Sequence, residues 1–383
     1  MSNVINISRF VDVSTGVVQS PTSIARDFGA VLFVQKGTDG QTTELTKYDD
    51  LEAVVTGEGS NTEASKCATV FYGTTYNGIA PTSPFWVATI GATDAEVFGT
   101  NFTVLLSAED YYMVLLDSTF TVDMVKSACS IMQASQTTSA HKMFVGDKSL
   151  AAVNSDLTSD TTSISAYCKN NNLTATAVCW YNPNNTNAYY SAAMASFFST
   201  RRFDNSNRKM ASLAHKVSQG IQPVDFTDTG ITVSATQAFD NLDAKHTNVY
   251  ANIKAVGIPA WERGNLPSGD DISDYISGDY LNYTITISVW NLLQNTPRVP
   301  MNTEGATMIA SAMEVGYLKL NAAGVIAGGV SIDGEAFPQN GYKITVPIPT
   351  GVNKANGLWE GVVSSGLLAG SGKKVVIANI LKK

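Results

Sequence analysis

Residues 4–18 alternate apolar and polar side chains, with Ile5 and Ile7 on one face and Val4, Asn6 and Ser8 on the other, until Phe10 and Val11 break the register. A period of two predicts an extended arm or an edge strand. The open backbone groups of such a strand need a partner. From about residue 28 the pattern changes to short apolar runs separated by segments of helical period. Residues 30–34, 85–90, 111–116, 143–145 and 175–180 predict strands, the first closed by the turn Lys36-Gly37-Thr38-Asp39-Gly40. Residues 62–76 predict a helix with Thr62 as N-cap and Ala64, Cys67, Ala68 and Phe71 on one face. Further helices are expected over 122–134, 164–168 and 188–200. Continuous apolar strands separated by helices argue for a mostly parallel sheet covered on both faces.

The pattern shifts again after about residue 250. Residues 249–256 predict a strand, and Gly257-Ile258-Pro259 a connection. Residues 280–293 are apolar and aromatic, and their period leaves helix and strand both open. Residues 303–318 predict a helix with Thr303 as N-cap and Ala306, Ile309, Ala310, Met313 and Tyr317 along one stripe. Residues 342–348 and 375–381 predict strands, the second behind Gly370-Ser371-Gly372. The expected fold is α/β plus α+β: an α/β domain with a mostly parallel sheet, a later α+β domain, and strand-like arms at both ends. No repeat of 20–50 residues is evident.

Composition adds a constraint on the surface. Hydrophobic residues make up 44% of the 383 residues and charged ones 15%, against about 25% charged in ordinary soluble domains. A neutral polar surface is cheaply desolvated by a neighbour, which suits a subunit packed against others and equally a weakly charged soluble protein. The net charge of −8 excludes the basic surface that phosphate neutralisation requires, so nucleic acid is not expected as a partner. Arg201, Arg202, Arg208 and Lys209, diluted by Asp204, read as a solvated helix end or a subunit contact. No secretion signal or membrane-spanning run is visible. Cys67, Cys129, Cys168 and Cys179 lack Cys-x-x-Cys spacing and read as buried free thiols of a protein made in a cytoplasm.

Catalytic signatures are not found. His141, His215 and His246 are scattered and read as surface or second-layer residues. Gly361-Val362-Val363-Ser364-Ser365-Gly366 misplaces the serine of a nucleophile elbow and reads as a turn. The run from Gly366 to Lys374 has one residue too many for a P-loop, ends in Lys where Ser or Thr must hold magnesium, and leads into a strand. Gly57-Glu58-Gly59 lacks a third glycine. Asp49-Asp50 and Asp270-Asp271 read as solvated turns. Tyr111-Tyr112, Tyr189-Tyr190 and Phe197-Phe198 read as core or interface packing. No cofactor or metal is expected.

The serial order of several segments nevertheless resembles the contractile-tail sheath proteins of phages with myovirus-type tails. The segments are Tyr48-Asp49-Asp50-Leu51-Glu52-Ala53-Val54, residues 64–72, Pro84-Phe85-Trp86-Val87-Ala88, and Gly220-Ile221-Gln222-Pro223. After these come residues 242–250, Trp290-Asn291-Leu292-Leu293 with Val299-Pro300, and Thr303-Glu304-Gly305. The family's Lys-Gly-rich turn before Pro223 is replaced here by Lys216-Val217-Ser218-Gln219-Gly220. The resemblance implies a non-enzymatic subunit that forms stacked rings on a tail tube, with baseplate and tail terminator proteins as further partners, in a virion tail assembled in the bacterial cytoplasm. It implies an arm at 1–20, an outer α/β domain at 21–250, an inner α+β domain at 251–372 and an arm strand at 373–383. Val4, Ile5, Ile7, Phe10, Val11 and Val13, with Val375, Val376, Ile377, Ile380 and Leu381, would then join neighbouring subunits. Gly16, Gly370 and Gly372 would be hinges, and the 303–318 helix a candidate for tube contact. A tube or baseplate component, or a cytoplasmic α/β enzyme or ligand-binding protein, are the competing readings.

Overall fold

The computed structural model describes residues 26–369, apart from 38–43, 92–93, 108–110, 137–140, 185–188, 204–207, 228, 254–256, 328–330, 333–334 and 337. The first half alternates strands and helices: β1 (Val31–Gly37), β2 (Glu44–Tyr48), α1 (Leu51–Glu58), α2 (Glu63–Gly73), β3 (Phe85–Gly91), α3 (Ala95–Leu105) and β4 (Met113–Leu116). It continues with α4 (Val122–Ser135), β5 (Lys142–Asp147), α5 (Leu150–Asn154), α6 (Ile164–Asn170), β6 (Thr176–Trp180) and α7 (Tyr190–Ser199). These six strands form one sheet in the order β2-β3-β1-β4-β5-β6. All are parallel except β2, which runs antiparallel to β3 at the edge.

The five parallel strands are mostly apolar because both faces of the sheet are covered. Val31 and Phe33 of β1, with Met113 and Leu115 of β4, face one core, together with Cys67, Ala68 and Phe71 of α2. Leu32, Val34, Val114 and Leu116 face the other, packed on Phe98 and Phe102 of α3 and on Met124, Cys129 and Met132 of α4. Every residue of α7 is buried, which its alternating Ala and Ser permit: Ser196 Oγ donates to Thr74 O at 3.0 Å and Ser199 Oγ to Gly29 O at 2.8 Å. All four cysteines are buried free thiols, and burial pushes the Cys67 thiol well above its ordinary pKa. Among the described residues no helix is long and apolar enough to cross a membrane.

The second half comprises α8 (Ala235–Ala244), β7 (Tyr250–Ile253), β8 (Ile258–Trp261), α9 (Ile272–Asn295) and α10 (Thr303–Ala322), then β9 (Ser331–Ile332), β10 (Glu335–Ala336), β11 (Tyr342–Thr345), α11 (Gly351–Ala355) and β12 (Val363–Gly366). Several sequence expectations are corrected here. The connection expected at Gly257-Ile258-Pro259 is strand β8, antiparallel to β7. The undecided segment 280–293 is helical and lies inside α9. The N-cap of α10 is Asn302, whose side chain accepts from Glu304 N and Gly305 N, so Thr303 is the first helical residue. The turn expected at 361–366 contains β12, paired with β11. His141 is fully buried against Tyr111, with ring centroids 5.1 Å apart. Asp271 is also buried, capping α9 through Ser273 N.

One core runs from the underside of the sheet into this second half, joining Phe33 and Phe144 to Trp261, Ile276, Ile285, Ile309 and Tyr317. A buried ion pair crosses the same junction. Lys142 Nζ of β5 lies 3.3 Å from Asp279 Oδ2 of α9, with both side chains almost fully excluded from solvent. Tyr112 OH donates to the same oxygen at 2.6 Å, and Lys142 Nζ donates to Gln136 Oε1 at 2.8 Å. Burial pushes the Tyr112 hydroxyl well up, with the Asp279 charge adding to it, so it stays a donor. Removing one charge strands the other in a low-dielectric site. Asp279→Ala should therefore cost about 3–5 kcal/mol in urea unfolding, whereas the double change Lys142→Met with Asp279→Leu should cost less than the single one. A near-neutral Asp279→Ala would overturn this account.

Candidate assembly site

In open α/β sheets ligands bind beyond the carboxyl ends of the strands, where strand order reverses. A cleft of about 200 Å³ occupies that place, lined by Asp117, Ser118, Asp147, Lys148, Tyr181 and Tyr189 among others. Its polar groups are committed to holding loops. Asp117 accepts from Thr119 N at 2.8 Å and Lys36 N at 3.1 Å. Asp147 accepts from Ser149 N at 2.9 Å, Ser165 N at 2.8 Å and Ser165 Oγ at 2.6 Å. Burial nevertheless pushes the Asp147 carboxyl up. Ser118 Oγ and Tyr189 OH both donate to Glu63 at the start of α2. These acids fasten helix starts and strand ends, and among the described residues no group of three or more His, Cys, Asp or Glu is placed to hold a metal.

The second half offers a different surface. Helices α9 and α10 pack antiparallel, with Gly316 against Leu281 and Ile285. The β11–β12 ribbon lies on α10. Tyr342 stacks on Tyr317 at 4.8 Å, and its OH donates to Glu314 at 2.5 Å. A Cβ at Gly366 would come 2.8 Å from the Tyr317 ring, so glycine permits this close approach. Among the described residues the ribbon pairs with no other named strand, and past β12 Leu368 bridges Ile326; a two-stranded ribbon invites further strands. Apolar side chains stand exposed on and around it: Val352 at 73%, Val363 at 62%, and Ile348, Leu358 and Leu368 at nearly half.

All the arm and hinge residues singled out from sequence (Val4, Ile5, Ile7, Phe10, Val11, Val13, Gly16, Gly370, Gly372, Val375, Val376, Ile377, Ile380 and Leu381) lie outside the described residues. The described chain meets the helical layer at both of its ends: Arg26 N donates to Tyr283 OH of α9 at 3.0 Å, and Ala369 N to Val325 O beyond α10 at 2.7 Å. The ribbon's first strand lies within the predicted 342–348 strand, whereas its second was missed because Val363-Ser364-Ser365-Gly366 is short and ends in glycine.

Residues 272–372, from the first turn of α9 past the ribbon, match the family model described as E217 tail sheath protein gp31-like, C-terminal domain. This segment is similar to a tail sheath C-terminal domain. The likeness to contractile-tail sheath proteins read from the sequence is thus borne out. No curated protein matches the chain. Solved structures extend the likeness in fold over nearly its whole length. A chain of the 6-fold symmetrised cryo-EM anti-feeding prophage (AFP) baseplate aligns over 97% of this chain and 100% of its own, with 15% identity and TM-score 0.62. A chain of the PVC extracellular contractile injection system sheath complex in the contracted state covers 94% of each, with 11% identity and TM-score 0.59. A chain of the AFP baseplate in the contracted state covers 97% and 99%, with 13% identity and TM-score 0.57.

The motifs behind the resemblance are places of close backbone approach. Within the matched segment, a Cβ at Gly305 would fall 1.8 Å from Pro300 O, so Val299-Pro300 and Thr303-Glu304-Gly305 form one tight entry into α10. Gly220 has φ +103°, and a Cβ there would lie 2.6 Å from Gly73 O. In the 242–250 segment, Lys245 Nζ donates to Ala152 O at 2.8 Å and Ser155 O at 2.6 Å at the end of α5, and pairs with Asp160 at 2.9 Å. Asn248 extends the sheet beside β6, its N donating to Val178 O and its carbonyl accepting from Trp180 N.

Two outcomes follow from these contacts. Gly305→Ala should lower stability by about 1–3 kcal/mol in thermal unfolding through overpacking, while Gly73→Ala, where a Cβ meets nothing within 4 Å, should not destabilise. Equal effects would refute the steric account. Asp160 is buried, which by itself raises its pKa, but bonds from Ser163 and the charge of Lys245 outweigh burial and hold it below the usual range. A depressed folded pKa contributes stability above the unfolded value of about 3.9 and loses it as pH falls through the folded value. Asp160→Asn should be less stable than wild type at neutral pH, with the gap closing below about pH 4. A pH-independent gap in urea unfolding would refute this.

Proposed function

We propose that this chain is the repeating structural subunit of a contractile tail sheath. Copies polymerise as stacked rings around a tail tube, and contraction of that lattice drives the tube through the host envelope. The subunit works without catalysis or cofactor, with itself, the tube protein, the baseplate and the tail terminator as partners. It is assembled in the bacterial host cytoplasm and resides in the virion tail. The match of residues 272–372 to a tail sheath C-terminal domain carries the reading.

In this proposal residues 1–20 and 373–383 are the arms, 21–250 the outer domain and 251–372 the inner domain. The open β11–β12 ribbon suits the role of acceptor, since strand addition bonds backbone to backbone and tolerates reorientation of the bodies attached to it. Val4, Ile5, Ile7, Phe10, Val11 and Val13 of one neighbour, and Val375, Val376, Ile377, Ile380 and Leu381 of another, would pair there, covering the apolar surface around Val352 and Val363. Gly16, Gly370 and Gly372 would let the arms turn. The exposed side of α10, with Val315 at 40% and Leu318 at 55% exposure, is the candidate tube-facing surface.

Electron microscopy of the purified full chain beside a version lacking residues 1–18 and 373–383 tests the reading. Tubes or stacked rings from the full chain, and folded monomers from the truncated one, are expected. A full chain that stays monomeric at high concentration, indistinguishable from the truncated one, would defeat both the arm mechanism and the sheath reading.

A further inference from the structure

A cleft of about 310 Å³ lies between the end of α7 and the middle of α9. Among the described residues three arginines line it, Arg26, Arg201 and Arg202, against a single carboxylate, Asp27. Its walls are aromatic. Phe203 stacks on Tyr280 with centroids 3.9 Å apart, and Phe28 meets Tyr280 edge-on at 5.4 Å. Lys319 of α10 approaches the Tyr280 ring at 6.0 Å and adds positive charge. In a chain of net charge −8, this is a concentrated positive site beside the matched segment.

The arginines do not play equal parts. Arg202 fastens the end of α7: Nη1 donates to Ser199 O at 3.0 Å and Arg201 O at 3.3 Å, and Nη2 to Ser83 Oγ at 3.2 Å. Arg26 Nη2 donates to Tyr111 O at 3.3 Å, and its guanidinium lies 5.3 Å from the Tyr112 ring centroid. Asp27 uses Oδ1 to accept from Gly29 N at 2.8 Å. Arg201 differs. Its guanidinium sits 4.4 Å over the Phe197 ring, and its buried Nε has no hydrogen-bond partner among the described residues. It makes none of the ion pairs found there. Burial and the like charge of Arg208 both act against its charged form. A desolvated cation without a counter-charge is costly. A planar guanidinium held over a ring can take a carboxylate through two parallel hydrogen bonds.

We propose that this cleft receives a surface carboxylate of a second copy of this chain, with Arg201 as its principal ligand. Charge complementarity selects that occupant. The chain carries 33 acidic against 25 basic residues, and exposed acidic corners such as Asp49, Asp50 and Glu52 stand at the opening of α1. The contact would seat a neighbour's body independently of any arm pairing. The inference rests on the self-assembly proposed above.

The test compares the full chain with Arg201→Glu and Arg201→Lys by sedimentation and electron microscopy, alongside calorimetric titration of dispersed wild-type protein with inorganic phosphate. Arg201→Glu should reduce the assembled fraction at least tenfold with thermal unfolding unchanged, and Arg201→Lys should retain part of it. If Arg201→Glu fails to fold, Arg201→Gln, which keeps the side-chain stem over Phe197, carries the comparison. Assembly of the variants equal to wild type overturns the inference and leaves the sheath reading standing. Failure of wild type itself to assemble removes both. Saturable phosphate binding with unimpaired assembly of Arg201→Glu assigns the cleft to a free anion and overturns the contact between copies.

Discussion

Lys142 and Asp279 face each other across the junction of the parallel sheet and α9, and neither has water to turn to. Such a pair adds little net stability against an apolar replacement, but it strongly penalises arrangements that separate its members. Tyr112 and Gln136 complete the site by supplying a donor to the carboxylate and an acceptor to the ammonium. Around it the apolar core continues without a break from Phe33 to Tyr317. The segment from α9 onward is thus positioned on the α/β body by matched charge as well as by area. A sideways slip of α9 would leave two buried ions uncompensated.

This junction also explains what could be read from the sequence and what could not. The five parallel strands were legible because each is buried on both faces, which leaves an unmistakable apolar run. The α2 and α4 helices were legible from their one-sided stripes. Helix α9 was not, because its buried face carries Ser273, Ser277, Asp279, Asn282, Thr284 and Thr286. A test that looks for apolar residues inside and polar ones outside fails when the inside is polar. Asn302 and Thr303 are both good capping residues, so only geometry could choose between them. Helices α1, α3 and α8 and strand β2 went unrecognised. In α1 the interior Gly57 looks like a breaker, yet a Cβ there would lie 2.5 Å from the Tyr48 ring, so tight packing on β2 requires it.

The candidate site divides along similar lines. Period-two alternation marked residues 4–18 as a strand in need of a partner, and the β11 half of the ribbon was also legible, but its β12 half carries almost no strand signal. Its identity lies in register with Tyr342–Thr345 and in the close approach of Gly366 to Tyr317, both of which are tertiary facts. The family-like motifs behaved in the opposite way. Recognisable as a series yet chemically silent, they prove to be steric and backbone contacts: Gly305 beneath Pro300, Gly220 against Gly73, Lys245 on the carbonyls of α5.

A consistent principle links the crevice, the ribbon and the weakly charged composition. At the carboxyl ends of the sheet, where an enzyme would keep polar groups free for a ligand, Asp117, Asp147 and Glu63 are spent on backbone amides and hydroxyls. That commitment ties these acids to the α/β body's own loops and helix starts. Exposed apolar area lies instead on the second half, around Val352 and Val363, beside the β11–β12 ribbon, which has no further named strand among the described residues. Strand addition at such an edge would bond backbone to backbone, a mode that leaves the bodies behind it free to reorient without a change of fold.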